Sequence, residues 1–273
     1  MGDGEMLPVE VRLALEQGAL VLTANEQAAR TLRHGFDRRN LALGLTRWQP
    51  PAVLSWDAWT ARWWRKIVMQ GFASQMLLNR TQEHAIWRTV LANDPDLKSL
   101  RSVDSLAEMA AVAWRLLCHY GGQGRLREMA VSTDTRAFQR WAMGFERRCT
   151  AEGYLAQAQL EEKLRQCVLA GQAEPEVRKL SLAGFDSIKP AQAELIEAVR
   201  SVGVSIDVLV LGAQIERRGL VEATDEPEEL RACARWVRTQ QGECHIGKTA
   251  YPNRAVDVRC VIDILRDRHS RSN

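Results

Sequence analysis

An α/β fold, with a mostly parallel sheet interrupted by a large all-helical insertion, is what the sequence predicts, and three observations carry it. Short apolar runs bounded by turn residues recur at 18–24, 52–55, 179–185 and 205–211, the mark of buried strands. Helical periodicity alternates with these runs, which implies crossover connections and parallel pairing. Between the second and third runs, residues 55–172 read as helix almost without a break.

The first strand ends at Thr23-Ala24, and Asn25 is placed to cap a helix whose apolar positions Ala28, Ala29, Leu32 and Phe36 share a face. Arg47 to Pro51 breaks that helix, and Ala52 to Ser55 forms a short second strand. Trp56, Trp59, Trp63 and Ile67 then keep helical spacing. Asn79 and Gln82 have the spacing of a capping box ahead of Ile86, Trp87 and Val90. Ser105 and Glu108 repeat that signature ahead of Met109, Ala113, Trp114 and Leu117. Thr133-Asp134 opens a fourth helix with Phe138, Trp141, Phe145 and Cys149 inward, and a fifth spans 155–169. Eight of the nine tryptophans lie between Trp48 and Trp141, so the insertion is expected to have its own aromatic core. Lys179 to Phe185 is the third strand, Pro190 suits the first position of the next helix, and Ser205 to Leu211 is the fourth strand. A further strand at 219–223 and a helix capped by Asp225, with Glu228, carrying Leu230, Cys233, Ala234 and Val237 complete the pattern before Gly242.

Composition narrows the function classes. The chain has 273 residues and a formal net charge of +3, which does not by itself demand a nucleic-acid partner. Of its 37 basic residues only six are lysine; the arginine excess suits phosphate contacts, and a GC-rich genome produces the same bias. Met1 to Glu10 has neither the basic start nor the apolar run of a secretory signal. No apolar stretch approaches the ~20 residues of a membrane span. Six well-separated cysteines (Cys118, Cys149, Cys167, Cys233, Cys244 and Cys260) read as reduced thiols, so a cytoplasmic location is expected.

One string matches a phosphate loop in full: Gly242-Glu-Cys-His-Ile-Gly247-Lys248-Thr249. In such a loop backbone amides wrap the phosphates, the lysine reaches the terminal ones and the hydroxyl holds magnesium, which requires a strand before and a helix after. Here a charged helical pattern precedes the string and Pro252 follows it, so Gly242 is better explained as a helix-ending residue. Cys118-His119 and Cys244-His245 are adjacent pairs without the spacing of zinc ligands, and no nucleophile-elbow motif occurs. No catalytic residue, metal site or cofactor is therefore assigned. Asp186, Asp207 and Asp225 lie near strand ends, where turns and helix caps account for Asp225 and Asp186. Arg30, Arg33, Arg38, Arg39, Arg47, Arg62, Arg65 and Lys66 crowd the first quarter of the chain, as either a phosphate-contacting surface or a solvated helix face.

Several strings in order resemble one bacterial family: Thr23-Ala-Asn25-Glu-Gln-Ala-Ala-Arg30, Val53-Leu-Ser-Trp-Asp-Ala-Trp59, Leu77-Leu-Asn-Arg-Thr-Gln-Glu83 with Trp87, Thr135-Arg-Ala-Phe-Gln-Arg-Trp141 with Glu152-Gly153, Leu182-Ala-Gly-Phe-Asp186, and Asp225-Glu-Pro-Glu-Glu229 with Ala234-Arg235-Trp236. These resemble the AddB-like DNA repair proteins over about residues 20–238. The resemblance implies an N-terminal half built like a superfamily 1 helicase, with a degenerate RecA-like (P-loop NTPase-like) sheet. It also implies a helical subdomain inserted after the early strands and, further on, a PD-(D/E)XK nuclease. A working helicase carries its phosphate loop after the first strand, where this chain has Thr23, Asn25, Gln27 and Arg30 and no glycine or lysine. The acidic pair expected after the third strand is reduced to Asp186-Ser187. Both halves of the ATP site are degenerate, as in AddB and RecC.

The expected organisation is 1–54 and 176–241 as two parts of one RecA-like core, 55–175 as the helical insertion, and 242–273 as an Arg-rich tail that departs from the family, by truncation or an altered reading frame. The expected function is a non-enzymatic, helicase-like module that binds or guides DNA for an exonuclease in repair or recombination. DNA is its partner, a helicase–nuclease subunit a further one, and Arg30, Arg33, Arg38, Arg39, Arg62, Arg65 and Lys66 are the candidate DNA contacts. Two alternatives stay open: a nucleotide-binding protein using Lys248 and Thr249, and a protein-interaction fragment without DNA binding.

Overall fold

The computed structural model describes residues 7–95, 102–128 and 132–211, all within the compact unit Glu5–Gly212. The expected elements at 219–223 and 225–242, and the tail from Gly242, lie outside the described residues. The chain runs α1 (Val9–Glu16), β1 (Leu20–Thr23), α2 (Glu26–Ala42), β2 (Val53–Ser55) and α3 (Trp56–Met69), then β3 (Met76–Leu77), α4 (Arg80–Ala92), α5 (Val103–His119), α6 (Gln123–Glu128), α7 (Thr133–Glu152) and β4 (Tyr154–Leu155). A 3-10 turn at Gln157–Gln159 leads into α8 (Leu160–Leu169), followed by β5 (Lys179–Ala183), α9 (Pro190–Ser201) and β6 (Ser205–Leu209).

Four strands form one parallel sheet in the order β2-β1-β5-β6, and β3 pairs with β4 in a separate parallel ribbon. Side chains alternate across a strand, and this divides the core. Val21, Val53 and Ala183 face α1 and α2, meeting Val11, Ala14, Ala29 and Leu32. Leu20, Leu22, Leu180, Leu182 and Ile206 face the other way, onto α3, α8 and α9, with Trp56, Trp63, Trp64, Leu164 and Leu195. Both faces of β1 are covered, which is why its four residues are uniformly apolar or small and all buried. Fully burying one such leucine contributes roughly 1.5–3 kcal/mol, so these strands anchor the unit.

A second core sits in the insertion. Trp87 of α4 stacks on Phe145 of α7 with ring centres 4.2 Å apart and planes 4° from parallel, and Trp114 of α5 stands edge-on to both. Leu91, Leu106, Ala107, Ala110 and Cys149 fill the space around them. The chain enters and leaves this bundle at neighbouring points, because Met76 and Leu77 pair with Tyr154 and Leu155. Gln157 donates its side-chain amide to the Leu78 carbonyl at 3.1 Å and its backbone N–H to the buried Glu83 carboxyl.

Local chemistry agrees with much of this. Asn25 caps α2 by accepting from Ala28 N at 2.8 Å. Asn79 and Gln82 form the reciprocal capping box, both bonds 2.9 Å. Pro190 is the first residue of α9. Other expectations fail for identifiable reasons. Trp56, Trp59, Trp63 and Trp64 pack on the sheet through α3 and do not join the insertion's aromatic core. The Ser105–Glu108 signature starts no helix: α5 begins at Val103, its inward stripe is Leu106, Ala107, Ala110, Trp114 and Cys118, and Met109 points outward at 61% exposure. The helix expected over 155–169 starts only at Leu160. Gly153, at φ +67°, ends α7 in the left-handed conformation that glycine adopts without strain, and the chain extends into β4. Ser132, not Thr133, caps α7 through the Thr135 N–H. The amphipathic α1 and the six-residue α6 belong to no expected element.

Candidate functional site

In an open parallel sheet, ligands bind beyond the carboxyl ends of the strands, where the direction of winding reverses. Here α2 carries the chain from β1 outward to β2 over one face, and α9 carries it from β5 outward to β6 over the other. The reversal therefore lies between β1 and β5, which pair in register with Thr23 opposite Ala183. The structure thus brings Thr23, Asn25 and Gln27 to the same sheet edge as Asp186, although about 160 positions separate them in the chain.

The protein's own groups occupy the amino end of α2. Thr23 is completely buried, and its hydroxyl donates to the Asn25 carbonyl at 2.8 Å. Asn25 is extended (φ −152°, ψ 165°) and its Oδ1 takes the Ala28 N–H, one of the free amides an anion would otherwise use. Glu26, the first helical residue, supplies the anion itself. Its carboxylate accepts from Arg33 Nη2 at 2.6 Å and from Ser55 Oγ at 3.0 Å, with Arg30 Nε at 3.9 Å. The Arg33 and Ser55 hydrogen bonds hold its pKa below the ordinary carboxylate value. Ser55 in turn caps α3 by accepting from Ala58 N at 3.3 Å. With no glycine between Thr23 and Gln27, the backbone does not curl to present successive amides. An incoming phosphate would have to displace the Asn25 cap beside a fixed negative charge.

Across the crevice, Gly184 (φ +69°) turns the chain out of β5. Phe185 lies edge-on to Trp56 at 6.2 Å, and Asp186 is exposed. Asp186 lies in the bend that follows β5, within the turn-or-cap expectation, and caps no helix: Lys189 holds that position for α9, its N–H bonded to Gln192 Oε1 at 3.1 Å. Asp207 stands within β6, ion-paired to Lys179 at 3.4 Å. Gln27 and Arg30 are exposed at the start of α2.

Beside this edge lies a buried residue that periodicity did not single out. Glu161, in the first turn of α8, is 6% exposed; its Oε1 accepts from Trp56 Nε1 at 3.2 Å and its Oε2 has no partner. Burial raises its pKa, partly offset by the Trp56 bond and by the Lys189 charge. His119, at the end of α5, is also buried, and desolvation with Lys189 and Arg115 nearby pushes it down to about 4. The signal for Glu161 was legible: it shares the inward stripe of Leu160, Leu164, Cys167 and Val168. Glu83 occupies an inward position of α4 in the same way, and burial raises its pKa as well.

The candidate DNA contacts do not form one surface. Arg30, Arg33, Arg38 and Arg39 belong to α2 on one face of the sheet, whereas Arg62, Arg65 and Lys66 belong to α3 on the other. Arg33 is engaged by Glu26, and Arg62 and Lys66 share Glu176 at 3.1 Å each. Arg38, Arg39, Arg47 and Arg65 have no ion pair among the described residues. A cavity of about 360 Å³, walled by Leu20, Pro51, Trp59, Arg62, Trp63 and Glu176, opens at the amino ends of β1 and β2, the edge opposite the winding reversal. Cys118 and Cys149 are buried and free, their thiols pushed up to about 12 by desolvation, which disfavours the nucleophilic thiolate. Among the described residues, no group of three or more His, Cys, Asp or Glu side chains is placed to hold a metal ion, and no helix is long and apolar enough to cross a membrane. Gly242, Gly247, Lys248 and Thr249, with Cys233, Cys244, Cys260 and Asp225, lie outside the described residues. No protein-family profile matches this chain, and no curated protein matches it.

Proposed function

We propose that this chain is a non-catalytic module with a degenerate RecA-like core that binds or guides DNA for an associated nuclease in repair or recombination. One observation carries the reading. At the winding reversal, where a nucleotide's phosphates would sit on the amino end of α2, Asn25 and the Glu26 carboxylate already fill the position. Two further features support it: the helical bundle inserted between β2 and β5 matches the layout implied by the AddB-like resemblance, and Asp186-Ser187 supplies no acidic pair beyond β5. DNA contact is assigned to the α2 face, where Arg30, Arg38 and Arg39 are not locked into close ion pairs.

The test is equilibrium binding of the full chain to duplex and single-stranded DNA across a salt series. Affinity is expected to fall linearly with the logarithm of salt, and each lost phosphate contact should reduce the slope by roughly 0.7–0.9. Replacing Arg30, Arg38 and Arg39 together with alanine should lower the slope by about two to three units. The same change at Arg62, Arg65 and Lys66 should leave it nearly intact. DNA affinity that is absent, or insensitive to salt, overturns the proposal. Saturable heat with Mg-ATP, lost in Lys248→Ala, would favour the nucleotide-binding alternative.

A further inference from the structure

The chain leaves α2 through a turn that holds three leucines in solvent: Leu41, Leu43 and Leu45 are 62%, 62% and 45% exposed. Single exposed leucines are ordinary, but three within five residues form a patch, and the backbone fixes it. Gly44 takes the left-handed conformation (φ +76°) and its N–H donates to the Leu41 carbonyl at 2.9 Å. The Leu45 N–H reaches the Asn40 carbonyl at 3.0 Å. At such a helix end the residue after the glycine commonly packs back on the helix, whereas Leu45 stays in solvent. Asp37 is the only acidic residue between Glu26 and Asp57, and it accepts from Trp48 Nε1 at 2.7 Å. Arg38, Arg39 and Arg47 bracket the leucines and have no ion pair among the described residues.

These leucines continue a basic ridge. Arg30, His34 and Arg38 are exposed at four-residue intervals, so they share one face of α2 over about 12 Å, and Leu41 follows three residues on. The opposite face, with Ala29, Leu32 and Phe36, is already covered by the sheet. We infer that this face takes DNA containing unpaired bases: the arginines hold the phosphate backbone, and Leu41, Leu43 and Leu45 cover the faces of unstacked bases. The inference rests on the proposed DNA role and names the DNA structure that this face prefers. Charge and apolar surface together decide the occupant. A free phosphate leaves the leucines in water, and an apolar peptide leaves the arginines without anions. Fully stacked duplex offers phosphates but hides its base faces, whereas leucine is among the side chains that wedge against unstacked bases. An anionic bilayer carries both chemistries in a plane. With the leucines inserted in it, Arg30 stands eleven residues, about 16 Å, back along α2, beyond the ~8 Å screening length. A DNA strand instead follows the ridge.

The test compares two covalently closed duplexes, one fully paired and one with a short mismatched bubble carrying 2-aminopurine, bound by the full chain at equal salt. The bubble should bind about tenfold tighter, with a rise in 2-aminopurine fluorescence as the bases leave the stack. Changing Leu41→Ser, Leu43→Ser and Leu45→Ser together should bring the bubble down to the affinity of the paired duplex. The salt slope should not change, because leucine carries no charge, and the melting temperature should hold, because all three side chains are exposed. Equal affinity for the two duplexes with a normal salt slope overturns this inference and leaves the proposed function standing. Bubble preference that survives the leucine changes also overturns it. Loss of all salt-dependent DNA binding overturns both. Leucine-dependent binding to phosphatidylglycerol vesicles, without bubble preference, assigns the turn to a lipid surface and overturns the inference as well.

Discussion

Single residues at helix starts and in buried positions set the chemistry of this chain. Asn25 and Glu26 act together: one removes a free backbone donor from the amino end of α2 and the other neutralises its positive dipole. Asn25→Ala is expected to lower stability by about 1 kcal/mol, the usual cost of losing an N-cap, read as a shifted urea midpoint with unchanged slope. His119 sets a pH dependence of defined sign. Its pKa in the fold, about 4, lies below the ordinary 6.5, so the fold favours the neutral ring. The stability it contributes is complete above pH 6.5 and is lost as pH falls toward 4, by up to about 3 kcal/mol. Urea titrations of His119→Gln should show a shallower decline across that window. Glu161 acts in the opposite sense, because its raised pKa makes the protonated form the comfortable one and its contribution is lost as pH rises. Glu161→Gln keeps an acceptor for Trp56 and should therefore melt higher than the parent chain at neutral pH. A lower melting temperature would mean that the Glu161 charge is compensated in the fold.

Among elements, α5 shows how a helix can be recognised and its faces still misjudged. The sequence points to Met109, Ala113, Trp114 and Leu117 as the inward set; of these only Trp114 is buried, together with Leu106, Ala107, Ala110 and Cys118. Both series satisfy helical periodicity, and only the positions of α4 and α7 choose between them. Substitutions measure the difference. Trp87→Ala, which removes the ring stacked on Phe145, should cost about 3–5 kcal/mol, visible as a loss of near-ultraviolet circular dichroism and a lower melting temperature. Met109→Ala, on the outward face, should stay within about 0.5 kcal/mol of the parent. The strands were plainer. A short, mainly apolar run has few alternatives once it is covered on both faces, and β1 and β5, with Thr23 and Ser181 fully buried among their apolar neighbours, appear where their runs predict.

At the scale of the whole described unit, two aromatic cores are joined by few links: the β3–β4 ribbon, the Gln157 bonds to Leu78 and Glu83, and the approach of α5 to α9. Cooperative units that share little buried surface open separately. Native-state hydrogen exchange should therefore release the amides of α4, α5 and α7 together, at a lower opening free energy than those of β1 and β5. A single opening free energy shared by both groups would show one cooperative unit. The same division bears on DNA binding, because removing the ring of Trp87 should loosen the insertion while leaving the arginines of α2 in place on the sheet.

By itself the sequence determined the alternation of strands and helices, the Asn25 cap and the capping box at Asn79. All of these depend on residues within a few positions of one another, and short-range hydrogen bonds and side-chain periodicity decide them. Only the tertiary structure decided that four tryptophans of α3 belong to the sheet, that β1 and β5 are neighbours at the winding reversal, and that α2 and α3 carry their arginines on opposite faces. Those outcomes depend on which faces meet across more than a hundred residues of chain, and a one-dimensional pattern records that a face is apolar without recording what covers it.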